Sequence, residues 1–117
     1  MADTALTPVE LALNEASANI AIAGGTAINA ANTMSFDFEK DEKYLLLVNN
    51  TFAGAKDVTI AAGFGWESGQ GALVASLAQN DVKAFMLTSA RFKNSSGKIS
   101  ISFASSMTGF VRVLKLP

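Results

Sequence analysis

The sequence predicts an all-β fold, an antiparallel sandwich or barrel of about seven to nine short strands. Apolar and polar side chains alternate with a period of two along much of the chain from Met34 onward, a pattern typical of half-buried strands with one wet face. Turn-forming residues recur at short spacing between these runs. The only prolines, Pro8 and Pro117, lie near the ends of the chain, where neither interrupts a central strand.

Seven segments carry a strand pattern. The clearest alternations are "MSFDFE" (34–39), "DVTIAA" (57–62) and "KISISF" (98–103), whereas "KYLLLVN" (43–49) is apolar on both sides and predicts a central strand covered on both faces. "ALVASLA" (72–78), "VKAFMLT" (82–88) and "FVRVLKL" (110–116) complete the set. "NSSG" (94–97), between "ARF" and "KISISF", predicts a hairpin turn.

The first 31 residues differ from the rest. They hold ten of the 20 alanines, a composition that favours helix by propensity. "ELAL" and "ANIAIA" nevertheless alternate, and the pair Gly24 and Gly25 would interrupt a helix. We predict one β-sandwich domain over residues 1–117, with residues 1–31 as an N-terminal arm or two short extra strands and with room for one helical turn near residues 26–32.

The composition excludes most kinds of enzyme site. Without cysteine or histidine the chain has no disulfide, no thiol nucleophile and none of the commonest general bases and zinc ligands. A hydrolase that uses only Asp and Glu is the remaining enzymatic alternative, and we expect a protein that is not an enzyme and binds no cofactor. Charged residues make up 16% of the chain, against roughly 25% in ordinary domains. This low share favours a surface that partly contacts another protein; the alternative is that the 20 alanines raise the apolar share without forming adhesive patches.

Charge is unevenly distributed along the chain. Residues 1–42 hold seven acidic side chains and one basic one, whereas residues 82–117 hold six basic side chains and no acidic one. Two alternatives follow: the two segments form opposite faces that dock head to tail or onto a charged partner, or they are neighbouring strands whose charges pair across a sheet.

Nucleic acid and membrane are not expected partners. The net charge of −1 argues against a nucleic-acid binder, and no run approaches the roughly 18 apolar residues of a membrane helix. The chain begins "MADTALTPVELAL", with the acidic Asp3 where a signal peptide would carry basic residues. We therefore expect assembly in the cytoplasm.

The stretch "AGFGWESGQG" (62–71) holds four of the nine glycines and the only tryptophan. A dinucleotide-binding loop requires G-x-G-x-x-G between a strand and a helix, but here Ser68 takes the third position and a strand pattern follows. Trp66, beside Phe64 and Glu67, could stack on a sugar. As part of a mobile loop it could instead cover the sandwich or anchor a protein partner, because tryptophan is enriched at interface hot spots.

Two charged clusters are also candidate sites. "DFEKDE" (37–42) holds four carboxylates but lacks the glycine turn of a calcium loop, so we predict solvated strand residues and no metal site. "ARFKNSSGK" (90–98) places basic residues around a turn, where they could contact phosphate or an acidic partner or form a solvated hairpin. Beyond Phe92 it lacks the interleaved stacking aromatics of a nucleic-acid site. The candidate partner-binding residues are Phe64, Trp66, Glu67, Arg91 and Lys93.

Four segments of residues 43–117 carry a resemblance to a known family: "YLLLVNNTFAGAKDVTIAAG", "GFGWESGQGALVASLAQNDVKAFML", "TSARFKNSSGKISISF" and "GFVRVLKLP". They resemble small structural proteins encoded in the head-gene clusters of tailed bacteriophages and prophages. The resemblance covers roughly two thirds of the chain. "LTPVELALN" and "IAGGTAINAANTM" are similar to the opening of these proteins, which implies an arm that fixes the domain to its neighbours.

The resemblance implies an immunoglobulin-like sandwich in the virion, assembled in the bacterial cytoplasm. Its expected role is capsid decoration or auxiliary head protein, with the major capsid protein or another phage structural protein as partner and with homo-oligomerisation as a further expectation. The alternative from a different class is an adhesion or carbohydrate-binding sandwich, on a phage fibre or against a host surface, that uses the Trp66 loop.

Overall fold

The computed structural model describes residues 2–117, and ten short strands account for most of the regular structure in that range. The strands are β1 (Asp3–Ala5), β2 (Val9–Glu10), β3 (Thr26–Ala27), β4 (Thr33–Asp37), β5 (Tyr44–Asn50), β6 (Lys56–Ile60), β7 (Leu73–Leu77), β8 (Val82–Phe85), β9 (Lys98–Phe103) and β10 (Gly109–Lys115). The helical elements are α1 (Ser89–Phe92) and two 3-10 turns, Ile22–Gly24 and Ser68–Gln70. None of the helices in residues 2–117 is long and apolar enough to cross a bilayer.

The strands form two sheets that pack face to face. Sheet A has the order β1–β4–β9–β6–β7, and sheet B has the order β2–β10–β5–β8, with β3 also paired to β10. The all-β prediction is confirmed, and each of the seven segments with a strand pattern contains a strand. The alternation explains this result, because in a strand it places the apolar side chains on one face, and that face is stable only when it is buried against the core.

The prediction of a wholly antiparallel sandwich is wrong for two pairings. β1 runs parallel to β4, and β2 runs parallel to β10. A tight hairpin forces antiparallel pairing, whereas a long connection permits either direction. β1 and β2 lie far along the chain from their partners, so no turn sets their direction.

The core lies between the two inward faces. β9 buries alternate residues along its whole length, as the pattern predicts, and Met34, Phe36 and Phe38 are all buried on the neighbouring strand and just beyond it. The rings of Phe36 and Phe38 pack against Tyr44, with centroid separations of 5.7 and 5.2 Å. The core contains these buried apolar residues: Leu6, Met34, Phe36, Phe38, Tyr44, Leu46, Val48, Val58, Ile60, Leu77, Phe85, Leu87, Phe92, Ile99, Ile101, Phe103, Met107, Val111 and Val113.

Three local predictions need correction. The residues before the turn at 94–97 form the short helix α1 and not a strand, so that turn connects a helix to β9. The region 26–32 begins with β3, and the 3-10 turn lies earlier, at Ile22–Gly24. In β5, Leu45 and Leu47 are only half-buried, because the outer face of sheet B is incompletely covered.

Two ion pairs lie at one end of the sandwich. The Lys98 ammonium lies 2.7 Å from an Asp37 carboxylate oxygen, and the two residues are direct neighbours in the β4–β9 register. The Lys115 ammonium lies 3.4 Å from Glu39, and the hydrogen bond and charge of Glu39 raise the pKa of Lys115 above its ordinary value. The Lys98–Asp37 pair fits the alternative of charges that pair between neighbouring strands, whereas the Lys115–Glu39 pair joins β10 of sheet B to the loop after β4 of sheet A.

A buried asparagine connects the two sheets at the opposite end. Asn50 of β5 is fully buried, and its Nδ2 donates to the carbonyl oxygen of Leu77 on β7 at 2.8 Å and to that of Gly54 at 3.0 Å. Its Oδ1 accepts from the Phe52 N–H at 3.0 Å. Without the Asn50 side chain, these three backbone groups would be removed from water without a hydrogen-bond partner, which is costly in a protein interior.

The substitution Asn50→Ala should therefore lower the free energy of unfolding by roughly 3 kcal/mol, because the three backbone groups bonded to the Asn50 side chain lose their hydrogen-bond partner. The matched control is Asn49→Ala. Asn49 is also buried but donates a single side-chain bond, to the Asp81 carbonyl oxygen, and its loss should cost about 1 kcal/mol. Urea unfolding measures both values, and equal losses in the two variants would contradict the cross-sheet role of Asn50.

Candidate partner-binding end

Three connections lie at the same end of the sandwich, which we call the Trp66 end. They are residues 38–43 between β4 and β5, residues 61–72 between β6 and β7, and residues 86–97 between β8 and β9. The registers require this arrangement, because Asp37 pairs with Lys98 and Ile60 pairs with Leu73. Both segments that carry the candidate partner-binding residues are therefore brought together.

Backbone hydrogen bonds join the glycine-rich loop to α1 and the residue after it. The Gly63 N–H donates to the Arg91 carbonyl oxygen at 2.8 Å, and the Phe64 N–H donates to that of Lys93 at 3.2 Å. The Glu67 N–H donates to the Ala90 carbonyl oxygen at 2.9 Å. The stretch from 63 to 67 is thus held at both ends against residues 90–93.

Two glycines permit this close approach. A Cβ on Gly63 would lie 2.2 Å from the Lys93 carbonyl oxygen, and one on Gly65 would lie 2.5 Å from that of Ala90. Both distances are below any normal van der Waals contact, and the obstructing atoms belong to the backbone. Glycine is needed here for space rather than for an unusual backbone angle.

Phe64, which lies between the two glycines, and Trp66, which follows Gly65, project into solvent. Phe64 is 70% exposed and Trp66 is 87% exposed. Gly63 and Gly65 face the neighbouring backbone while Phe64 and Trp66 face outward, so the loop presents apolar rings from a backbone that is held in place. An exposed tryptophan on an ordered segment is suited to bury its ring against another molecule.

Arg91 positions the loop. Its Nε donates to the Gly71 carbonyl oxygen at 3.1 Å and its Nη2 to that of Ala72 at 3.3 Å, while the guanidinium carbon lies 4.8 Å from the centre of the Phe92 ring. These contacts hold the second half of the glycine-rich loop. The planar guanidinium can make both bonds at once, which the point charge of a lysine cannot do in the same geometry.

The other two candidate residues are half-buried at this end. Glu67 accepts a long hydrogen bond of 3.5 Å from Gln70 Nε2, and its backbone N–H donates to the carbonyl oxygen of Ala90 in α1. Lys93 contributes its carbonyl oxygen to the Phe64 amide and carries its side chain past Gly97. Each of them therefore has a structural contact in addition to its charge.

Asp41 has a contact that sequence reasoning missed. Its carboxylate accepts from the Ser89 N–H at 2.7 Å and from the Ser89 hydroxyl at 3.3 Å, which connects the 38–43 loop to the first residue of α1. With Asp37 and Glu39 paired to lysines, most of the acidic cluster is engaged in local contacts. Within residues 2–117, no group of three or more acidic, histidine or cysteine side chains has the arrangement of a metal site.

Two small cavities lie beside the N-terminal segment and not at the Trp66 loop. One, of about 150 Å³, is lined by parts of residues 6–9, 24–26 and 111–113. The other, of about 160 Å³, lies around Glu10, Tyr44 and Lys115. Both are smaller than the roughly 300–1,000 Å³ of typical small-molecule sites, so neither supports a ligand pocket of ordinary size.

Comparison with protein-family models, with curated proteins and with solved structures found no match for this chain. The functional argument therefore depends on the residues and contacts described above.

We expect Arg91→Ala to lower the free energy of unfolding by about 1–2 kcal/mol, because two carbonyl oxygens lose a charged donor. The variant should also raise the picosecond–nanosecond mobility of the backbone at residues 69–72, measured by ¹⁵N relaxation. Lys93→Ala is the charge-matched control, since only its backbone oxygen contacts the loop. A similar rise in mobility in both variants would contradict the positioning role of Arg91.

Proposed function

We propose that this protein is a non-enzymatic structural protein of a tailed-phage virion, a capsid decoration or auxiliary head protein that contacts the major capsid protein or another phage structural protein. The observation that carries the proposal is the exposed pair Phe64 and Trp66 on a loop held by backbone hydrogen bonds. The resemblance of residues 43–117 to phage head proteins supplies the kind of partner.

The held loop suits a permanent contact better than a catalytic one. A flexible loop loses conformational freedom when it binds, and this loss weakens the complex. Because the amides of Gly63, Phe64 and Glu67 are already bonded, much of that loss occurs during folding. The ring of Trp66 is then free to act as an interface hot spot.

Composition supports the same proposal. The chain combines few charged residues with no cysteine or histidine, which leaves little chemistry for catalysis but a surface suited to protein contacts. A subunit whose neighbours on a shell also contact it is held by several interfaces at once, so a modest single interface is sufficient for stable attachment.

An immunoglobulin-related sandwich is part of the proposal. Counting the seven longer strands β4 to β10 as A to G, the pairs β5–β8 and β6–β9 correspond to the B–E and C–F pairs of an immunoglobulin constant domain. β4, β7 and β10 each lie in the opposite sheet from their counterparts A, D and G. The relationship that we propose is thus limited to the central pairs.

Carbohydrate binding or adhesion is the second candidate, favoured by the exposed ring of Trp66 and the neighbouring carboxylate of Glu67. Sugar sites usually combine stacking rings with hydrogen-bonding groups. A glycan panel followed by tryptophan fluorescence tests this candidate, since Trp66 is the only tryptophan. A saturable change with one glycan would favour adhesion over the head assignment.

The head assignment is tested with particles purified from a phage that lacks the gene for this protein. Purified protein should co-sediment with these heads, and Trp66→Ala should weaken binding by roughly thirtyfold, the effect of a hot spot worth about 2 kcal/mol. Val74→Ala is the matched control, because Val74 is another exposed apolar residue, on β7 and outside the Trp66 loop. Failure of the unaltered protein to bind heads would contradict the assignment.

A further inference from the structure

Within residues 2–117, sheet A has β1 and β7 at its edges, and sheet B has β8 at one edge and the short strands β2 and β3 at the other. An edge strand exposes unpaired backbone N–H and C=O groups, to which another strand can add. β1 and β2 are only three and two residues long, which limits such pairing. The two longer edges, β7 and β8, lie on the same side of the sandwich.

Side chains cover the backbone of β7 and the residues just before it. The Lys83 ammonium donates to the Ser76 carbonyl oxygen at 2.8 Å. The Arg91 guanidinium donates to the carbonyl oxygens of Gly71 and Ala72. These cationic groups occupy acceptors that an added strand would need, so β7 is protected.

Within residues 2–117, no other strand pairs with the outer side of β8. The Asn50 N–H donates to the Asp81 carbonyl oxygen at 3.1 Å, which fixes the alternation of the antiparallel ladder between β5 and β8. Residues that direct their backbone groups at the partner alternate with residues that direct them away. The backbone N–H and C=O groups of Lys83 therefore point at β5, whereas those of Val82 and Ala84 point at the free edge.

The surface next to this edge is apolar. Val82 is 47% exposed and Met86 is 56% exposed, and Ala84 between them is exposed too. Leu47, the register partner of Ala84 on β5, is half-buried. An apolar strand edge without protecting charges is unusual on a monomer, because it promotes edge-to-edge association.

We propose that β8 pairs with β8 of a second copy of this chain, antiparallel about a twofold axis at Ala84, so that sheet B continues across a homodimer. This dimer surface does not include Phe64 or Trp66 of the 61–72 loop and does not depend on the proposed head function.

The register favours a second copy over an unrelated strand. With Ala84 opposite its own counterpart, Val82 lies opposite Met86 and Lys83 lies opposite Phe85. No like charges face each other directly, and apolar side chains meet on the outer face. The Lys83 ammonium already turns toward Ser76 across the rim of the sandwich, which keeps it away from the free edge.

The first test is the mass in solution, measured by sedimentation equilibrium from low to high micromolar concentration. We expect a dimer for the unaltered protein and its loss in Val82→Lys, because a charge then enters the strand pair. The matched control is Val74→Lys, which places the same charge on the other edge at a residue that is 57% exposed. A monomer at all concentrations, or equal loss of dimer in both variants, would overturn the proposal.

The second test reports the register. The chain contains no cysteine, so Ala84→Cys introduces a single thiol at the proposed twofold axis. Hydrogen-bonded antiparallel neighbours have Cα atoms about 5.5 Å apart, within the roughly 4.4–6.8 Å that a disulfide spans. Mild oxidation should produce a covalent dimer from Ala84→Cys and much less from Val74→Cys, with thermal unfolding confirming that both variants fold. Equal yields would overturn the proposal.

The two proposals fail in different ways. A dimer that does not bind phage heads leaves the β8 interface intact and contradicts the head assignment alone. A monomer that binds heads contradicts the β8 interface alone. Uptake of an added extended peptide at β8 by a monomeric protein would indicate a foreign strand and would also overturn pairing between copies.

Discussion

The close approach of two backbones at Gly63 and Gly65 is the constraint on which the Trp66 end depends. Side chains larger than hydrogen at these positions would overlap the carbonyl oxygens of Lys93 and Ala90. The hydrogen bonds from Gly63, Phe64 and Glu67 require that approach. A glycine-rich loop usually suggests flexibility, but here the missing side chains allow two connections to pack as one unit.

The packed unit is held from both sides. Arg91 holds the second half of the glycine-rich loop through its guanidinium, and Asp41 holds the start of α1 through Ser89. The sandwich beneath supplies the frame, since its strand ends bring the three connections together. Exposed apolar rings therefore project from a structure that is ordered before any partner arrives.

The strands could be predicted from sequence because burial of one face leaves a period of two, as in Ile99, Ile101 and Phe103. The first 31 residues could not be assigned in the same way, since alanine fits a helix, a strand or an arm. Their parallel pairing depends on contacts with β4 and β10, which are distant in the sequence. The short helix α1 was also missed, because four residues carry too little periodicity to distinguish a helix from a strand end.

For the candidate site, sequence analysis singled out residues from two separate segments but could not show that they meet. The bonds that join them are backbone bonds, which leave no side-chain signature. The alternation of glycine with aromatic residues in "GFGW" was the available signal, because it places the small residues on one side and the rings on the other. Asp41 had no such signal, since its partner Ser89 lies 48 residues away.

The central claim is that the Trp66 loop is held in place before it binds anything. Amide hydrogen exchange on the free protein tests this claim most directly, because an amide exchanges slowly only while its hydrogen bond remains closed. The structure predicts slow exchange at Gly63, Phe64 and Glu67 and fast exchange at Gly69 in the same loop. Exchange at all four amides at the rate of an unstructured peptide would show a flexible loop and contradict the account.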